Sequence, residues 1–203
     1  MKILAQVLCV ALLCLGATAQ DHAAHMQAHP VTLVTGLGDL HHPVSTHNPQ
    51  AQQFFDQGLR YIYAFNHDEA ARSFQKAAEL DPKLAMAYWG IAEAVGPNYN
   101  DPASEERFKQ AHEAIQKAVD LSANASPSEQ AYIQAMAKRF PADPKADLKK
   151  ATEDYHDAMR ELVKKYPDDL DATTLFAESG MNRIPGVCGM WTARLRRGRR
   201  RLS

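Results

Sequence analysis

Cysteine is scarce: the chain holds Cys9, Cys14 and Cys188 only. The first two lie in an N-terminal apolar run with the character of a cleaved signal, which leaves Cys188 alone. That excludes an internal disulfide in the mature chain. Long apolar runs are also lacking. The single one, Ile3–Leu15, falls short of the ~20 residues a spanning helix needs, so no stable membrane insertion is expected. Catalytic signatures are missing as well. There is no Gly-x-Ser-x-Gly, no phosphate loop, no His-Glu-x-x-His and no close Cys-His pair. Acidic pairs such as Glu105-Glu106 and Asp168-Asp169 open helices, where the helix dipole favours them. No enzyme is therefore expected, and no cofactor.

What is present begins with a targeting signal. Lys2, the apolar run and Ala17-Thr18-Ala19 have the layout of a secretory signal peptide over residues 1–19, cleaved after Ala19. A periplasmic or secreted protein is expected. Residues 20–185 hold all 24 acidic side chains against 16 Lys and Arg; in an exported protein nucleic acid is not an expected partner, even for a basic tail. Residues 20–49 are rich in His, Ala, Thr and Pro, without a sustained apolar period, and read as a His-rich linker or strap. Six of the nine histidines fall here: His22, His25, His29, His41, His42 and His47. Imidazole suits Cu, Zn and Ni, so a periplasmic metal-binding protein using this segment is the alternative functional reading. No close metal-ligand spacing supports it.

From Ala51 onward the pattern is helical and repeats. Phe54, Gly58 and Tyr61 share a face of a first helix, expected from about Pro49 to Phe65; Ala70, Phe74 and Ala77 share a face of a second. Asn66-His67 separates them and Asp81-Pro82 ends the second. One period on, Tyr88, Ala92 and Val95 take the slots of Phe54, Gly58 and Tyr61. Ala111, Ile115, Ala118 and Leu121 take those of Ala70, Phe74, Ala77 and Leu80. The extra residues fall in the turn-forming stretch Gly96–Pro102. This pattern resembles the tetratricopeptide repeat, whose period is ~34 residues. Gln57 departs from it, standing where Leu is usual. The resemblance implies an all-α fold of antiparallel helix-turn-helix pairs, stacked as a short α-solenoid. Repeats 1 and 2 occupy residues 50–125 and degenerate repeat-like helices residues 126–183. These include a helix ending near Phe140, a long one over Lys145–Tyr166, and one beginning at Leu170.

In that family the first helix of each pair lines a concave groove. The resemblance therefore assigns peptide binding to Gln52, Phe55, Leu59, Ile62, Met86, Trp89 and Glu93, with Asn98 and Asn100 of the Gly96–Pro102 loop at the groove mouth. The partner implied is another protein or peptide segment, apolar or aromatic in character, because Phe55 and Leu59 cannot clamp a carboxylate. An equally open reading is that the N-terminal strap simply covers this face. Residues 184–203 form a basic tail with six Arg and no acid, a composition with the character of an out-of-frame translation. If the helical array stops there, Leu175 and Phe176 are expected to be exposed.

Overall fold

The computed structural model describes residues 30–98, 101, 103–143 and 146–183. The expected signal peptide, His22, His25, His29, Asn100 and the basic tail lie outside the described residues. The chain divides into two units, Met1–Thr32 and Leu33–Ser203, and every described helix belongs to the second.

Among the described residues that unit is all-helical, with no strand. Its seven α-helices are α1 (Pro49–Tyr63), α2 (His67–Leu80), α3 (Ala85–Val95), α4 (Glu105–Leu121), α5 (Pro127–Arg139), α6 (Leu148–Lys165) and α7 (Leu170–Asn182), with a short 3-10 turn at Ser122–Asn124. Most starts are written in the sequence as side-chain caps. Asn48, Asn66, Ser104, Ser126, Asp147 and Asp169 each accept a hydrogen bond from a backbone N–H of the first turn. Ser126 and Glu129 complete a reciprocal capping box.

Each helix packs against the next in sequence, and α1 also touches α3, as α3 touches α5. Phe74 of α2 shows why the helices approach so closely. Its ring is fully buried and lies against Gly58 of α1 and Gly90 of α3, where a Cβ would meet the ring well inside van der Waals distance.

Three expectations are corrected. α1 stops at Tyr63 rather than Phe65, because Phe65 takes a left-handed φ of 58° and Asn66 N–H donates back to the Tyr61 carbonyl at 2.9 Å, closing the helix end. α6 starts at Leu148 rather than Lys145, because Asp147 caps it through the N–H groups of Lys149 and Lys150. Leu175 is buried rather than exposed, and Phe176 stacks on His156 of α6 with ring centroids 4.7 Å apart.

Candidate functional site

Leu33–His47 has no helix or strand, yet it is held along its length by helix side chains. Gln52, Asp56 and Arg60 recur every fourth residue and so share a face of α1. Gln52 uses both ends of its amide: Nε2 donates to the His42 carbonyl at 2.8 Å and Oε1 accepts from Val44 N–H at 2.9 Å. Asp56 accepts from His42 N–H at 3.1 Å and pairs with His41 Nδ1 at 2.8 Å. Arg60 Nε donates to the Leu40 carbonyl at 3.0 Å. Gln57 accepts from Val34 N–H at 2.7 Å, while its Nε2 donates to Ser73 at 3.1 Å. Glu129 of α5 accepts from both Ser45 N–H and the Ser45 hydroxyl. Thr46 donates to Asp81 at 2.6 Å. From Leu40 to Asn48 the side chains alternate strictly between half-buried and exposed, the period of an extended chain lying on a surface.

His42 is the centre of this contact. Its ring stands 6.0 Å from Phe55 and 5.7 Å, edge-on, from Tyr132. Its Nδ1 pairs with Asp171 of α7 at 2.7 Å. The other Asp171 oxygen accepts from the Tyr63 hydroxyl at 2.6 Å, and Asp169 accepts from the Tyr132 hydroxyl at 2.9 Å. Burial opposes a charged imidazole, but the hydrogen bond and charge of Asp171, with Asp169 and Glu129 behind it, hold the His42 pKa above its ordinary value. Asp171 sits below the usual carboxylate range: burial pulls upward, and the bonds from His42 and Tyr63 outweigh it. His42, Asp169 and Asp171 can each offer one donor atom, all within 4.8 Å of one another.

Beside this cluster lies a cavity of about 740 Å³ between the end of α1, α7 and Leu40. Ile62, Phe65, Leu170, Leu175 and Met181 give it apolar walls; Glu93, Glu178 and Asp171 give it acidic ones. Leu170 is 78% exposed and Met181 44% exposed, so its rim is open. Glu93 is buried and bonds Arg139 of α5 at 3.0 Å. Burial, with Glu178 adding and Arg139 opposing, pushes the Glu93 carboxyl up to about 7. His67 Nδ1 and Glu178 Oε2 line the same region buried and without a hydrogen-bond partner among the described residues. Burial lowers the His67 pKa.

The expected groove residues are brought together, but they do not form an open surface. Phe55 is 0% exposed and Trp89 2% exposed; Leu59, Ile62, Met86 and Glu93 are also buried. Gln52 grips the strap backbone. Asn98 lies at the cavity, 3.4 Å from His67 Nε2. Asp56, Gln57, Arg60, Glu129, His42 and Asp171 escape a reading based on apolar stripes. Two signals point to them: the departure of Gln57 from the repeat pattern, and the inward period of Leu40, His42, Val44 and Thr46.

No protein-family model and no curated protein matches this chain. Among the described residues no helix is long and apolar enough to cross a membrane.

Proposed function

We propose that this chain is an exported, non-catalytic scaffold of stacked helical pairs, similar to tetratricopeptide repeats, that binds another protein or peptide through its concave face. One observation carries the reading. The α1 face already holds an extended polypeptide by its backbone, through the Gln52 amide, Asp56 and Arg60. Hydrogen bonds to main-chain groups serve any extended sequence, while alternate side chains enter pockets. In the free chain the occupant is its own residues 33–47. Packing of α1 on α3 and of α3 on α5 supports a side-by-side row of first helices, the arrangement such a groove needs.

The partner segment takes the part of the groove left open, the cavity between α1 and α7. Its walls favour an apolar or aromatic side chain. Glu93, Glu178 and Asp171 disfavour an acidic terminus. The reading places the mature protein in the periplasm or outside the cell, with no nucleic-acid partner and no cofactor needed for peptide binding.

The test is an array of extended peptides probed with the mature chain and with Leu170→Glu and Met181→Glu. Both positions are exposed, so folding is spared. Retention of aromatic and apolar peptides, lost at least about tenfold in both variants, supports the reading. Preference for acidic C-termini, or retention unaffected by either change, overturns it.

A further inference from the structure

Three side chains from distant parts of the chain converge where the strap crosses α7. His42 comes from the strap, and Asp169 and Asp171 come from the N-terminal end of α7; the His42–Asp171 pair spans 129 positions of sequence. A nitrogen or oxygen from each lies within 4.8 Å of the other two. The carboxylates are held rather than free to swing. Asp169 Oδ1 accepts from Ala172 N–H at 2.9 Å and its Oδ2 from the Tyr132 hydroxyl. Asp171 Oδ1 accepts from the Tyr63 hydroxyl. Phenols that orient carboxylates from behind are the outer support a metal ligand needs.

The electrostatics ask for a cation. The charged groups facing His42 are Asp171, Asp169 and Glu129, all acidic. Glu129 is committed to Ser45 and to the Ser126 N–H, so it contributes field rather than a ligand. The His42 and Asp171 side chains keep 14% and 18% of their surface, so solvent offsets this charge only in part. A protonated His42 supplies one positive charge; a divalent ion supplies two and needs the neutral ring.

We propose that His42, Asp169 and Asp171 bind one divalent first-row transition-metal ion, with the remaining coordination positions left to water. One imidazole nitrogen with two carboxylate oxygens is a donor set for Zn²⁺ or Mn²⁺; the nitrogen selects against Ca²⁺ and Mg²⁺. The proton leaves the His42–Asp171 hydrogen bond, Nδ1 coordinates, and Nε2 keeps its hydrogen. The 2.7 Å contact opens to about 3.3 Å, the spacing of two donors each ~2 Å from a tetrahedral ion. The ion then fastens the strap to α7. This site borders the peptide cavity and shares Asp171 with its wall, but metal stoichiometry and ligand identity are read independently of peptide retention.

The experiment uses the mature chain with His22, His25, His29 and His47 changed to Asn, which removes competing imidazoles but keeps His42 and the His41–Asp56 contact. Calorimetry with Zn²⁺ or Mn²⁺ is expected to give one ion per chain. At roughly a hundredfold excess over Kd the melting temperature is expected to rise by about 5–10 °C, with no such rise for Mg²⁺. His42→Gln and Asp171→Asn each cut the affinity at least about a hundredfold. X-ray absorption of the Zn²⁺-loaded chain decides the matter even if a variant fails to fold: a shell of one imidazole with oxygens supports the site. No stoichiometric ion, binding indifferent to both substitutions, or a shell of several imidazoles overturns it.

Discussion

Gly90→Ala tests the packing that brings the helices together. Phe74 is fully buried. A methyl group at Gly90 would lie 2.6 Å from its Cε1 and Cγ and closer still to Cδ1. On the other side, a methyl at Gly58 would lie 2.7 Å from Cδ1 and Cε1 and 2.8 Å from Cζ. Carbon atoms rest about 3.5–4.0 Å apart, so the ring must retreat by about 1 Å. It cannot retreat into α1, because Gly58 is already its floor. Helix propensity alone makes Ala better than Gly by about 1 kcal/mol. Overpacking a closed core costs about 1–3 kcal/mol, and a ring confined on two sides belongs at the upper end. The net expectation is a loss of about 1–2 kcal/mol. Phe74→Leu alone costs about 1 kcal/mol or more through lost packing, but it frees the space the new methyl needs. The double variant is therefore more stable than the two single losses sum to, by about 1–2 kcal/mol. Urea titrations followed by far-UV circular dichroism give all four corners of the cycle. A Gly90→Ala chain stabilised by about 1 kcal/mol, or an additive cycle, contradicts this account of the packing.

Other perturbations have equally definite outcomes. Glu93, faced by Arg139, Glu178, Tyr155 and Tyr63, has its carboxyl pushed up to about 7 by burial, whereas an unfolded Glu titrates near ~4.3. Folding therefore takes up a proton between those values. This stabilisation is complete below about pH 4 and is lost as pH rises through about 7. Urea midpoints should fall from pH 5 to pH 8, and Glu93→Gln should flatten that slope; an unchanged slope counts against it. Arg139 bonds Glu93 and the Pro97 carbonyl and lies over the Phe140 and Tyr155 rings at 5.5 and 5.1 Å. Arg139→Ala should cost about 3–5 kcal/mol by stranding a buried carboxylate, and a loss under 1 kcal/mol in thermal or urea unfolding would contradict this. Asn48 caps α1 and donates to the Leu80 carbonyl at 2.9 Å; Asn48→Ala should cost about 1–2 kcal/mol, with Asn48→Asp recovering only the cap. Finally, on the proposed export reading, mass spectrometry of the protein recovered from its native cells should place its first residue at Gln20, and a retained Met1–Ala19 would sink that reading.

Apolar spacing and caps are enough to place the helices. Local rules govern both, since a 3.6-residue period buries one face and a short polar side chain satisfies the first orphan N–H groups. The ends are less legible where tertiary demands enter. Phe65 turns left-handed to let α2 fold back, and its composition gives no hint of that. The groove stripe of Phe55, Leu59 and Ile62 is visible as an apolar excess. Its cover is not, because the strap is held chiefly by backbone hydrogen bonds, and any residue carries an N–H and a C=O. Polar residues on a helix look solvated until something binds them, which is why Asp56 and Arg60 carry no signal of their own and Gln57 shows only as a departure from the repeat pattern.

The helical character of the described residues, most of the places where helices begin and most of the apolar positions that are buried can be read from the order of the amino acids. Those properties depend on neighbours within a turn or two. It takes the folded arrangement to bring His42 to Asp171, to set Arg139 against Glu93, and to lay the strap over α1 while the corner by α7 stays open. Such contacts join positions far apart in the chain. Their energy depends on the angle and distance between whole helices, which no local pattern of side chains encodes.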